Sequence, residues 1–375
     1  MESLIIAFVV SFFCTLLVIR YQHLHDHFSA DHDLTGVQKF LATVVPRIGG
    51  VSIMIALIIS GIWIAFRIPT EARMFFLLTV AASPAFLGGL IEDCTKRVGV
   101  MARLGLTMLA AVLGFWLLGA GVYRLDMPFL DAVLKAHWVL ALMLTAFAVS
   151  GVANAVNIID GYNGLAGMVS IIILGALGYV AFALGDVLVW KVALATIGGI
   201  MGFLFWNYPR GLIFLGDGGA YLIGFVIGEL SVLLVARHPE VSPWFPLLVV
   251  VYPVFETLFS IYRKKFVRGR SPGQPDGVHM HMLIYKRLVR WAVGSKQVND
   301  KTARNAMTSP YLWLLCSLAV VPAVLFWRNP HALQFFVFAF TALYIFLYRK
   351  LVRFKSPKWL LVRKPGYQQP KRRKP

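Results

Sequence analysis

Apolar segments long enough to cross a bilayer recur from one end of this 375-residue chain to the other, and no other feature constrains its fold as strongly. A transmembrane helix needs about 17–25 apolar residues, and lipid-exposed backbone must satisfy its hydrogen bonds internally. Eleven stretches qualify, at about 3–19, 48–66, 74–91, 102–122, 138–158, 164–184, 188–206, 212–236, 244–262, 310–327 and 331–348. Short links join them, so the sequence predicts an all-α polytopic membrane protein: one integral domain over 1–348, then a basic tail over 349–375. The first stretch is too long and uninterrupted for a cleaved signal peptide.

A net charge of +19 would suggest nucleic acid in a soluble chain, but here its placement excludes that reading. Counted along eleven spans, 29 of the 36 Lys and Arg fall on one side, including eleven in the 263–304 loop and eleven from Arg349 onward. The positive-inside rule then predicts an outside N-terminus and an inside C-terminus, with the tail near anionic membrane lipids. Cys14 and Cys316 read as small core residues, and Cys94 lies at an inner loop where a disulfide is not expected.

Polar clusters interrupt the apolar pattern. The densest is Asn154-Ala-Val-Asn157-Ile-Ile-Asp160-Gly-Tyr-Asn163-Gly164. Polar groups at the rim of a spanning helix are costly, and a simple helix cap would need only one or two of them. Amide oxygens there suit Mg²⁺ or a sugar hydroxyl, and the glycine turn offers N–H groups to a phosphate. Asp217, in Gly216-Asp-Gly-Gly219 at a helix entrance, is a candidate metal ligand beyond what an N-cap requires. Glu92 and Asp93 end a span, where the helix dipole disfavours carboxylates; they suit a cation or a proton. Lys39 and Arg47 precede Gly49-Gly50 and suit phosphate, or simply supply positive-inside charge and a turn. His279 and His281, two apart, share no helix face; with no Cys nearby, sugar or phosphate contact is the better reading than zinc.

All five clusters fall in odd-numbered links, on one membrane face. Their inventory fits a Mg²⁺-dependent reaction of a phosphorylated substrate whose partner lies in the membrane.

Together these residues resemble the polyprenyl-phosphate N-acetylhexosamine-1-phosphate transferases of glycosyltransferase family 4. The similarity runs from Asp33, Lys39 and Pro46-Arg47-x-Gly49-Gly50 through Asn154-x-x-Asn157-x-x-Asp160-Gly-x-x-Gly164 and Phe214-Leu-Gly-Asp217 to His279-x-His281. Departures are Glu92-Asp93 for a usual Asp-Asp pair, Asn163 for a frequent aspartate, Leu41 for a common histidine, and Met282 beside the histidine pair. The peptidoglycan branch carries three consecutive histidines, so His279-Met-His281 favours the branch serving O-antigen or capsule-type glycans.

The resemblance implies transfer of an N-acetylhexosamine-1-phosphate from a UDP-sugar to undecaprenyl phosphate, with release of UMP, at the cytoplasmic face of a bacterial inner membrane. It implies Mg²⁺, or Mn²⁺ in its place, held by Asn157 and Asp217. Asp93 and Asp160 are the implied catalytic residues. Lys39, Arg47, Glu92, Asn154, Asn163, Gly216, His279 and His281 are the implied substrate contacts. The rival is a transporter or flippase for a lipid-linked or anionic solute. Transporters place polar breaks near the midplane, in repeated halves, whereas these clusters sit at span ends.

Overall fold

In a computed structural model the chain is described over residues 1–24, 45–269, 277–289 and 298–353. It is an all-α polytopic membrane protein. Its helices are α1 (Glu2–Arg20), α2 (Gly49–Arg67), α3 (Pro69–Thr95), α4 (Val100–Leu118), the short α5 (Pro128–Ala136), α6 (Trp138–Ile159) and α7 (Leu165–Ala183). They continue as α8 (Val187–Asn207), α9 (Gly216–Arg237), α10 (Trp244–Val249), α11 (Val251–Tyr262), α12 (Met280–Ile284), α13 (Val298–Leu325) and α14 (Pro330–Val352). Ten described helices are long and apolar enough to cross a membrane: α1–α4, α6–α9, α13 and α14.

The stretch expected to span at 244–262 is instead the broken pair α10–α11. Pro253 has no N–H to return to the Val249 carbonyl, and its ring crowds that oxygen, so the helix restarts around Val250.

The bundle is built around α9, which packs on α2, α3, α4, α6, α7 and α8. Its sequence is apolar all round, as a fully enclosed helix requires, and nearly every residue from Gly216 to Leu234 is buried. Small residues let neighbours close on it: a Cβ at Gly224 would lie 2.5 Å from Ala153 Cα of α6.

Asp217 opens α9 at the end of the bundle where α3 and α6 finish and α4 begins. At the opposite end, Asp186 caps α8 and meets His238 at 2.9 Å and Arg237 at 3.4 Å, just where α9 finishes. The five motifs therefore share one end, wherever the described residues include them. Lys39 lies outside the described residues.

Candidate active site

Three motifs separate in sequence interlock through their glycines. Phe214 N–H donates to Pro46 O (2.8 Å), Gly49 N–H to Phe214 O (3.0 Å) and Gly50 N–H to Leu215 O (2.9 Å), laying the entrance of α2 along the entrance of α9. A side chain at Gly50 would strike the Gly219 backbone, and a Cβ at Gly89 would come within 2.5 Å of Gly218 N. Gly216 has φ +75°, and a Cβ there would run into the Arg47 carbonyl and the Asp93 carboxylate. Gly216 thus acts through its backbone.

One turn beyond Gly89, Asp93 is only 1% exposed, and its Oδ2 accepts the Gly218 N–H at 2.9 Å. That N–H belongs to the first turn of α9, which has no intrahelical acceptor and carries the positive end of the helix dipole. Asp93 Oδ1 is buried and accepts no hydrogen bond among the described residues; Arg47 Nε stands 4.0 Å from it. Arg47 also reaches Asp217 Oδ1 at 3.8 Å, so one guanidinium spans both carboxylates. Asp217 is paired in addition with Arg103 through Oδ2, and Asn157 Nδ2 donates to its Oδ1 at 2.9 Å. Arg103 lies over the ring of Tyr221, whose hydroxyl makes a long 3.4 Å bond to Asn154 Oδ1.

Asp160 follows the end of α6, outside the spanning segment. Loss of water pushes its carboxyl up to about 7; Arg47 pulls it down and Asp93 adds to the rise, which ties Asp160 electrostatically to the same cluster.

Next to it a Cβ at Gly161 would lie 3.4 Å from His281 Nε2. The His281 ring stacks on His279 (centroids 5.2 Å apart, planes at 6°) and meets Tyr162 edge-on at 5.3 Å. Tyr162 continues to Tyr285 at 5.5 Å, and Arg304 of α13 lies 4.5 Å above that ring. Behind His279 stands Glu256 of α11, fully buried.

Two residues expected at the substrate are engaged in bracing. Asn163 is buried: its Nδ2 donates to Pro209 O (3.1 Å), its N–H to Asn305 Oδ1 (2.8 Å), and its carbonyl accepts from Ser309 (2.6 Å). Glu92 Oε2 accepts the Val98 N–H at 2.8 Å, closing the α3–α4 turn, because adjacent helix residues point about 100° apart. Arg103, Glu256 and Arg304 were not singled out from sequence. In the sequence Arg103 and Arg304 read only as inner-face charge. Glu256 carried a usable signal, being the one carboxylate in the 244–262 stretch.

The sequence model of glycosyl transferase family 4 matches residues 75–235. That segment takes in Asp93, Arg103, Asn157, Asp160 and Asp217 and stops short of Glu256 and the histidine pair. The chain is 30% identical over 289 residues to a probable undecaprenyl-phosphate N-acetylglucosaminyl 1-phosphate transferase of Bacillus subtilis (strain 168), covering 75% of this chain and 77% of that one. It is 29% identical over 262 residues to the undecaprenyl-phosphate alpha-N-acetylglucosaminyl 1-phosphate transferase of Yersinia pestis (65% and 66% covered). A phospho-N-acetylmuramoyl-pentapeptide-transferase of Geobacillus kaustophilus (strain HTA426) is 30% identical over 262 residues (66% and 76% covered).

Proposed function

Because the chain belongs to the polyprenyl-phosphate sugar-1-phosphate transferases of glycosyl transferase family 4, we propose that it transfers an N-acetylhexosamine-1-phosphate from a UDP-sugar to undecaprenyl phosphate and releases UMP. The observation that carries the reading is the meeting of Arg47, Asp93, Arg103, Asn157 and Asp217 at the glycine-locked entrance of α9.

In the reaction an oxygen of the lipid phosphate attacks the sugar-side phosphorus. A new P–O bond forms, the bond to the UMP oxygen breaks, and UMP leaves with the electron pair. Such a transfer needs positioning and charge neutralisation more than covalent chemistry. Arg47 and Arg103 supply fixed positive charge. Asp160 faces the same cluster, and His279 and His281 lie beside it to meet phosphate and sugar. The acceptor phosphate is already ionised near neutral pH, so Asp93 serves as an electrostatic partner more than as a strong base.

The donor set suits Mg²⁺, which binds through one or two carboxylates and takes its remaining oxygens from water and phosphates. No three His, Cys, Asp or Glu side chains converge among the described residues, so water and substrate phosphates would supply most of the ion's ligands. Asp217 with Asn157 would hold the ion, beside the bare Oδ1 of Asp93, and its charge would neutralise the diphosphate. An apolar cavity of about 200 Å³, lined by Val149, Val152, Val232, Pro246, Leu247 and Val250, gives room for part of an isoprenoid chain. Val152, about 7.5 Å along α6 from Asn157 at 1.5 Å per residue, is the cavity wall nearest the motif end, and Arg124 and Pro243 line the cavity toward the opposite end.

The test uses detergent-purified protein with Mg²⁺, undecaprenyl phosphate and a panel of UDP-sugars. UMP release is expected with a UDP-N-acetylhexosamine and not with UDP-MurNAc-pentapeptide, since His279-Met280-His281-Met282 lacks three consecutive histidines. Release with no sugar in the panel would overturn the reading, and preference for the pentapeptide donor would overturn the branch.

A further inference from the structure

Glu256 lies beyond the segment that the family model matches, in the stretch where the α10–α11 helix breaks. It is 0% exposed, and a buried carboxylate is costly unless its oxygens are satisfied. Three polar groups from two parts of the chain converge on it. His279 Nδ1 stands 2.9 Å from Oε1, the Met280 N–H donates to the same oxygen at 3.1 Å, and the Tyr344 hydroxyl of α14 donates to Oε2 at 2.6 Å. A carboxylate surrounded by donors is ionised and only accepts, so Nδ1 of His279 must carry a proton. Nε2 is then the ring nitrogen left to a ligand, and the parallel stack on His281 holds the plane of the ring.

We infer that Glu256, braced by Tyr344, is a positioning residue that fixes the tautomer and orientation of His279, so that Nε2 accepts a hydrogen bond from a hydroxyl of the substrate sugar. The inference rests on the transfer reaction proposed above. It assigns a part to α14, whose Tyr344 and Tyr348 reach Glu256 and the Val278 carbonyl, tying the last helix to the histidine pair.

Two measurements test it. In the first, the full chain is labelled with ¹⁵N-histidine, and the His279 signal is identified by its loss in His279→Gln. The wild-type ring is expected to hold a proton on Nδ1, and Glu256→Ala should move it to Nε2, the form an unpaired imidazole prefers in water. An unprotonated Nδ1 in the wild type overturns the inference whatever the activity.

In the second, kcat/KM for UMP release is compared across single and double variants. Glu256→Ala should lose about 10–100-fold, the scale seen when a group that orients a histidine is removed. Glu256→Gln keeps a carbonyl to accept the Nδ1 proton and should recover most of that loss. In a His279→Ala background neither substitution should cost more than about threefold further, since residues acting through one contact are not additive. Losses that multiply in the double variant overturn the inference, leaving Glu256 only as a tie between α11 and α14. A wild type that releases no UMP overturns the transfer reading instead, and the ring signal still decides the pairing.

Discussion

Asp217 and Asp93 share Arg47 but differ in everything else that touches them, and that difference separates their roles. Asp217 is partly open, with Arg103 on one oxygen and the Asn157 amide on the other; Asp93 is sealed against the entrance of α9 by the Gly218 N–H. Asp217→Asn is expected to cut UMP release by roughly 10²-fold or more, the scale for losing one charge-stabilising group, with the residual activity needing more Mg²⁺. Asp93→Asn should lower turnover while leaving the Mg²⁺ and UDP-sugar dependence nearly unchanged. A Mg²⁺ titration of both variants, checked for equal detergent elution, decides it: a shifted optimum for Asp93→Asn exchanges the roles. At this scale the sequence revealed carboxylates whose glycine neighbours have no other purpose. It did not reveal Arg103, because an arginine at an inner helix end is what the positive-inside rule expects anyway. Nor did it separate Asn163, a brace, from Asn157, which meets Asp217; both stand in one polar run, and only packing tells them apart.

Helices were legible in sequence because hydrocarbon length sets their bounds, whereas the contacts between them were not. Gly49-Gly50 and Gly218-Gly219 stand out as pairs in the sequence, and the structure joins Gly50, Gly89, Gly218 and Gly219 into one lock across α2, α3 and α9. Gly50→Val places a branched side chain into the Gly219 backbone, and such overpacking costs typically about 1–3 kcal/mol. Its thermal midpoint in detergent should fall and UMP release with it, because this contact sets Arg47 beside Asp217. Gly151→Ala is the control: its Cβ meets nothing within 4 Å, and a helical alanine should leave the midpoint unchanged or raise it. Equal shifts for the two would show that the lock does not matter. The α10–α11 break is hidden in the sequence because its hydropathy is continuous and only Pro253 marks it. That broken pair walls the apolar cavity opposite α6. Val152→Trp should fill the cavity and raise the KM for undecaprenyl phosphate while sparing that for the UDP-sugar; a rise in the latter alone would remove the lipid from this cavity.

Connectivity across the whole molecule restores the traverse that the break conceals. α9 leaves the motif end at Asp217 and finishes at the opposite end, where Arg237 and His238 meet Asp186. Glu256 is next found bonded to His279, whose partner His281 stands against Gly161, so α10–α11 must carry the chain back. α1 runs parallel to α8, with Ser11 bonded to Gly199 O and the Trp206 indole to Phe12 O, so Met1 lies at the end opposite the motifs. α14 returns with Tyr344, Tyr348 and Leu351 at the motif end. Met1 and Arg353 therefore lie at opposite ends of the bundle, the arrangement that an odd number of traverses demands. The 29-to-7 division of Lys and Arg predicts a direction for this geometry, because basic links near span ends tend to stay on the cytoplasmic side. Reporter fusions after Arg268 and after Arg353 should be active as cytoplasmic fusions, and one within the Arg237–Pro243 link as an external one. If the Arg268 and link fusions report the same side, α10–α11 does not cross, and the histidine pair loses its place beside Asp160. If all three report the reverse, the bundle stands but the UDP-sugar would have to bind outside, which overturns the cytoplasmic transfer proposed above.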